Sequence, residues 1–201
     1  MSNAQSLDNA PVLLEVNNSD YEEARDHLAR FAELEKSPEY IHTYRISSLS
    51  LWNAAAAGLD AVEILEGLHR FAKYPIPDNV AFEIKEAIRR YGRVRLTRDP
   101  YDDTRLRLLS DDELLLVELE RNRYVKEYVL NRIGSHTLHV PAARRGHVKQ
   151  ALVKAGYPAE DLVGYVPGEP LHFDLLTDGL ESGFHIRDYQ QEAAEIFWAN
   201  G

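Results

Sequence analysis

The sequence contains no cysteine. That excludes a disulfide frame and a thiolate zinc site, and it fits a cytoplasmic protein. No apolar run is long enough to span a bilayer, since "NAAAAGL" is short and closed by Gly58, and no membrane partner is expected. The first ten residues are polar and lack a basic n-region, so no signal peptide is expected. "MSNA" resembles an expression-vector scar, and residues 1–10 are set aside as a tag or disordered segment. There is no GxxxxGK[ST], no GxGxxG after a strand, no nucleophile elbow and no HExxH. Among the eight histidines the nearest set is His136, His139 and His147. Two of these stand three apart in an expected strand, on opposite faces, with no carboxylate between them. No metal ligand set and no catalytic residue is therefore read. Asp111 and Asp112 are adjacent and suit a helix cap better than a shared proton.

The formal net charge is −10, which taken alone argues against a nucleic-acid binder. Its distribution is uneven. From Arg121 to Lys154 the basic residues are Arg121, Arg123, Lys126, Arg132, Arg144, Arg145, Lys149 and Lys154, and the acid is Glu127. A second run holds Lys85, Arg89, Arg90, Arg93, Arg95 and Arg98 against Glu86. Such segregation can give an acidic protein basic faces. By themselves, runs of this kind are more often the solvated sides of ordinary helices.

The chain reads as α+β in two domains. "PVLLEV" predicts a strand. "NSDYEEARDHLARFAEL" predicts a helix with capping-box spacing at Ser19 and Glu22 and an apolar stripe of Tyr21, Ala24, Leu28 and Phe31. "YIHTYRI" predicts a strand. Three helices follow: one from Ser48 to Gly58, one capped by Asp60 and running to Ala72, and one capped by Asp78 and ending at Gly92. Ala54, Gly58 and Ile64 have helix-turn-helix spacing: a small residue for close approach, a glycine for the left-handed turn, an apolar lock. "RVRLT" and "TRLRLLS" predict a hairpin, completing a winged-helix pattern. The second helix carries Glu63 and Glu66 and is a poor groove reader; the third, with Arg89 and Arg90, is the better face for DNA. From Ser110 a small α/β domain is expected. "DDELLLVELERN" and "RYVKEYVLNRI" read as helix, "SHTLHVP" as a strand, "RRGHVKQALVKAG" as a helix with Val148, Leu152 and Val153 inward, and "LVGYV" as a strand or turn. "VPGEP" reads as a linker, "LHFDLL" as a further strand, and Gly183 to Gly201 as an amphipathic helix with Ile186, Tyr189, Ala193 and Phe197 on one side.

"IRDYQQEA" resembles the opening of a superfamily-two helicase motor. A glutamine there offers one donor and one acceptor to the N6 and N7 edge of adenine. "FAELEKSPEYIHTYRISSLSLWNAAAAG", "YPIPDNV", "RYGRVRL", "RGHVKQALVKAGYPAEDLVGYV" and "RDYQQEAAEIFW" are similar, in the same order, to the N-terminal region of bacterial and archaeal XPB-type DNA repair helicases. The resemblance covers residues 11–201. It implies a winged-helix-like domain over 11–110, a damage-recognition-like α/β domain over 111–168, and a linker with the first motor helix over 169–201. It implies a parent that hydrolyses ATP with magnesium and unwinds DNA 3′ to 5′, the Walker A motif following shortly after Gly201. Arg187 and Gln190 would contact adenine in that full-length parent only, and no cofactor is expected for this chain alone. The implied partners are damaged, forked or distorted DNA, the parent's own motor, and a nuclease or other repair protein. Arg89, Arg90, Arg93, Arg95, Arg144, Arg145, Lys149 and Lys154 are the candidate DNA contacts. Two alternatives remain open: a scaffold that docks a protein partner, and a free-standing winged-helix regulator. Pairing of Arg144 and Arg145 with the acids of "SDDE", or with Glu160 and Asp161, is the structural alternative to a phosphate site.

Overall fold

The structure, a computed structural model, describes residues 11–165 and 186–200. It divides into two units that meet between Gly164 and Tyr165. The first unit holds two hydrophobic cores in succession.

The first core begins with β1 (Pro11–Glu15), α1 (Tyr21–Ala29), β2 (Glu33–Lys36) and β3 (Ile41–Arg45). The three strands form an antiparallel sheet in the order β1-β3-β2. β2 differs from the helix expected to run through Leu34. Leu34 pairs with Tyr44, and Arg45 bridges Glu33 at 2.8 Å and Glu35 at 3.1 Å, so cross-strand partners outweigh local helical preference. The capping box expected at Ser19 and Glu22 does not form; Asp20 is the N-cap, without a side-chain cap bond. Three helices follow and share this core with α1 and the sheet: α2 (Ser48–Ala56), α3 (Ala61–Phe71) and α4 (Asp78–Arg90). α2 starts on a capping box between Ser47 and Ser50. The turn to α3 follows the sequence expectation. Gly58 has φ +86°, Leu59 N–H donates to the Ala54 carbonyl at 3.0 Å, and Ala54 and Ile64 are buried. Asp60 caps α3 by accepting from Glu63 N–H at 2.8 Å. α4 is preceded by Pro77 as N-cap; Asp78 is its first residue and no side chain caps it. Trp52 Nε1–H donates to the Ala87 carbonyl at 3.0 Å, fastening α2 to α4.

The second core is a five-stranded sheet in the order β6-β7-β5-β4-β8. Its strands are β4 (Val94–Arg98), β5 (Arg105–Leu109), β6 (Asn131–Ile133), β7 (Thr137–Pro141) and β8 (Ala159–Asp161). Helices α5 (Glu113–Arg121) and α6 (Arg145–Lys154) cover one face. Val94, Leu96, Leu106, Leu108, Leu138 and Val140 meet Leu115, Leu116, Leu119, Val148, Ala151 and Leu152 there. The hairpin β4–β5, expected as the wing of the first domain, is thus the centre of this second sheet, and the change of core falls between Arg90 and Val94. The physical reason is burial: the alternating apolar residues of β4 and β5 need a cover, which α5 and α6 supply. The segment "RYVKEYVLNRI", expected as helix, becomes a 3-10 turn at Lys126–Tyr128 followed by β6. Leu130 N–H donates to the His139 carbonyl at 2.9 Å, so pairing with β7 overrides the helical pattern. Val153, expected inward, is 36% exposed. In the second unit α7 (Asp188–Asn200) is helical as expected. The expected linker "VPGEP", the strand "LHFDLL", residues 1–10 and Gly201 lie outside the described residues.

Candidate nucleic-acid interface

Strand register brings four segments to one end of the five-stranded sheet. Arg98 pairs with Leu106, Arg105 with Pro141, Asn131 with His139, and Leu96 with Asp161 in parallel. The β4–β5 hairpin tip, the 3-10 turn before β6, the Ala142–Arg144 turn after β7 and the chain after β8 therefore share that end. Bonds confirm the gathering. Ala142 N–H donates to the Thr104 carbonyl at 2.9 Å, and Arg98 Nε donates to the Val163 carbonyl at 2.8 Å.

This end carries cations that have no ion-pair partner among the described residues. Arg123, Lys126 and Arg144 are exposed and form no ion pair with any described residue. Arg121, at the end of α5, is likewise exposed and unpaired among the described residues. Arg123 lies over the Tyr124 ring at 4.5 Å, which braces its planar head. The ring of Tyr128 stands 6.4 Å from that of His147, linking the 3-10 turn to the first turn of α6. A hydrogen bond to the Glu127 carboxylate raises the Tyr128 pKa, and the charge of Arg144 opposes that rise.

The other expected DNA contacts divide sharply. Arg145 is held by Asp161 at 2.8 Å and donates to the Gly164 carbonyl at 2.7 Å; Lys149 reaches Asp161 at 2.9 Å. These are the structural pairings weighed against a phosphate site, and Arg144 takes no part in them. Burial alone would raise the Asp161 pKa; hydrogen bonds from Lys149, Arg145 and Val163 N–H outweigh it and hold the carboxyl below its ordinary value. Arg93 pairs with Asp112 at 2.6 Å and Arg95 with Asp111 at 2.8 Å. Arg90 and Arg93 flank Tyr157, with ring distances of 5.7 and 5.9 Å. Arg89 reaches Glu86 at 3.4 Å from a largely exposed position, and Lys154 is exposed at the end of α6. In α3, Glu66 is exposed and Glu63 pairs with Arg30. Arg123 and Lys126 belong to the basic run read from the sequence but not to the chosen contacts. The expected helix through them hid the turn that exposes them.

The hairpin tip is fastened from beneath. Asp99, buried, accepts from Tyr101 N–H at 2.9 Å and from Arg107 at 3.3 Å. His139 Nε2 approaches the same carboxylate to 2.6 Å, in contact but without hydrogen-bond alignment. The bond from Tyr101 N–H is the leading cause that lowers the Asp99 pKa against the opposing effect of burial, and Arg107 adds to it. Asp102 accepts from both the N–H and the hydroxyl of Thr104, at 2.9 and 2.6 Å. His139 Nδ1 meets Asn131 Oδ1 at 3.3 Å, and His136 Nδ1 meets the Ser110 carbonyl at 3.0 Å, so each ring has a partner within the fold. Among the described residues no group of His, Asp and Glu is placed to hold a metal ion. In α7, Gln190 Oε1 accepts from Arg187 N–H at 3.1 Å, a cap on the helix's own start.

A family model described as a helicase conserved C-terminal domain matches residues 7–134. Among curated proteins, the chain is 43% identical over 190 residues to the DNA 3'-5' helicase XPB of Mycobacterium tuberculosis, covering 94% of this chain and 34% of that protein. It is 41% identical over 190 residues to the DNA 3'-5' helicase XPB of Kineococcus radiotolerans, covering 94% and 33%. It is 28% identical over 199 residues to the general transcription and DNA repair factor IIH helicase/translocase subunit XPB of Enterocytozoon bieneusi, covering 94% and 31%. The chain spans about a third of the length of these relatives.

Proposed function

Since this chain belongs to the helicase family that the matched model describes, and there to the XPB type, we propose that it is the DNA-engaging accessory region of an ATP-dependent 3′-to-5′ DNA repair helicase. In this reading it grips distorted or forked DNA and positions the motor. The observation that carries it is the set of unpaired cations, Arg123, Lys126 and Arg144, gathered at one end of a sheet in a protein of net charge −10. Arg93, Arg95, Arg105, Arg107, Arg132 and Arg145 of this sheet domain have carboxylate partners; Arg123, Lys126 and Arg144 have none among the described residues, although Glu127 lies in the same turn. Contacts of this kind hold phosphates and carry no sequence preference, so discrimination would come from how readily the DNA deforms. The second core thereby takes the damage-recognition role, and a nuclease or repair factor remains a proposed protein partner.

The placement ahead of the motor is part of the proposal. The resemblance of "IRDYQQEA" to the opening of a superfamily-two motor supports it; the matched model's description names a C-terminal helicase domain instead. ATP and magnesium would belong to the parent. Arg187 and Gln190 are proposed to meet adenine there; the Gln190 carbonyl that caps α7 keeps its second lone pair and its amide N–H for a base.

The test is a salt-dependent titration of this chain with duplex, forked and mismatched DNA. In the variant Arg123→Ala/Lys126→Ala/Arg144→Ala, binding should weaken for all three DNAs. The slope of log K against log salt should shrink by roughly one unit for each phosphate no longer held. Unchanged affinity and slope would place the DNA face elsewhere.

A further inference from the structure

The hairpin tip presents one aromatic side chain with almost nothing on it. Tyr101 is 90% exposed. An exposed tyrosine on a loose loop would be unremarkable, but this loop is bolted down. Its own N–H is held by the buried Asp99, which Arg107 and His139 hold in turn. On the far side of the tip, Asp102 takes two hydrogen bonds from Thr104 and pairs with Arg105 at 2.9 Å. The Thr104 carbonyl is tied to Ala142. The Arg107 guanidinium lies over the Tyr101 ring at 5.7 Å, so one side of the ring has a cation behind it.

We propose that Tyr101 is a base-stacking residue, which takes an unpaired or unstacked base of the bound DNA on its open side. The inference rests on the DNA-binding reading above and names the feature of the DNA that the site would sense. Three observations point to a base and away from phosphate or a loose hydrophobic contact. Asp102 and Asp103 follow the residue directly in the chain and would repel a phosphate, whereas a neutral base is indifferent to them. The cation behind the ring polarises it, which favours a π-face in front. The loop shares its end of the sheet with Arg144 and Lys126, two residues from Arg144 through the Thr104–Ala142 bond, so a strand held by those cations passes within reach. A base inside an intact duplex has neighbours on both sides and cannot stack on Tyr101 without being exposed first. A base at a fork or mismatch is already part-way out.

The experiment compares the 201-residue chain with its variants Tyr101→Ala and Tyr101→Phe. The probes are a fork bearing 2-aminopurine at the junction and a fully paired duplex of equal length. Tyr101→Ala should weaken binding to the fork by about tenfold, the scale of one base–aromatic stack, and leave duplex binding and both salt slopes unchanged. Tyr101→Phe should bind like the wild type, since stacking needs the ring and not the hydroxyl. Wild type and Tyr101→Phe should quench the 2-aminopurine; Tyr101→Ala should not. Circular dichroism should show all three equally folded, because Tyr101 buries almost no side chain. Equal fork affinity in Tyr101→Ala, or an equal loss on fork and duplex, overturns the stacking role alone if the triple cation variant still shortens the salt slope. A wild-type chain that binds neither DNA overturns the DNA reading and this inference with it.

Discussion

A methyl group at Gly67 would stand 1.9 Å from His27 Nε2 and 2.2 Å from Cε1. α1 and α3 cross at this point, and the glycine makes room for the imidazole between them. The ring is boxed in: edge-on to Phe31 at 5.2 Å, tilted to Phe71 at 6.2 Å, with Nε2 3.4 Å from the Ile64 carbonyl. It cannot turn aside without leaving the Phe31 face of the core. Gly67→Ala should therefore destabilise the chain by about 1–3 kcal/mol, the usual cost of overpacking, despite the better helix propensity of alanine. Urea denaturation measures it. The double variant His27→Ala/Gly67→Ala should recover part of the loss relative to the sum of the single ones, because the methyl then has space. Strict additivity would mean that the two residues do not meet. The sequence signalled none of this. A glycine inside a helical pattern reads as a mild defect until the partner across the crossing is known.

α6 and β8 are joined through a single carboxylate. Asp161, 12% exposed in its side chain, takes Arg145 and Lys149, one turn apart on α6. Two cations at the start of a helix oppose its dipole, and Asp161 offsets that cost. The Asp161 pKa lies below its ordinary value of 3.8. A carboxyl depressed in the folded state adds stability that is fully present above its unfolded pKa and is lost as pH falls through the folded one. Asp161→Asn should thus be less stable than wild type at neutral pH. The gap should stay constant down to about pH 4 and close below it as the wild type protonates. Thermal melts across pH 2.5–7 would show this, and a gap of constant size through the acid range would refute it. This link explains what was legible and what was not. The helices α2 and α3 follow from Asp60, Gly58 and the Ala54–Ile64 spacing, all local signals. So does the four-residue step that puts Arg145 and Lys149 on one side. Their partner was only one of several acids, because β8 is three residues long and its parallel pairing to β4 is non-local. The same blindness turned the charged edge strand β2 into helix, and merged the cationic turn at Lys126 into α5.

The first unit as a whole is two cores in series, joined where α4 runs into β4. Tyr91 and Gly92 make the passage, Gly92 with φ +77°, a backbone state that a side chain would strain. Burial raises the Tyr91 pKa and the nearby charge of Glu160 adds to it, so this residue sits against the second core although it closes a helix of the first. Arg90 does the same from the last turn of α4, over Tyr157. Tyr157 packs against the second core and bonds through its N–H to the Leu152 carbonyl at 3.0 Å. A joint this narrow can still couple the two cores if each needs the other's end residues in place. Arg90, Arg93 and Tyr157 then act as a clamp: Arg93 is fixed to Asp112 at the start of α5, Arg90 to the end of α4, and the ring stands against both. On this account Arg90 and Arg93, chosen from the sequence as DNA contacts, serve the joint, and the proposed grip on a polyanion falls to the other end of the sheet. Trp52 is buried in the first core and reports on it alone once Trp198 is replaced by phenylalanine. In that background, fluorescence and far-UV circular dichroism should melt together. Adding Arg90→Ala and Tyr157→Ala should separate the transitions, because the remaining connection is the backbone through Gly92. Coincident transitions in the clamp variant would mean that the cores are coupled by contacts other than these, and that the arginines near residue 90 are free for another purpose.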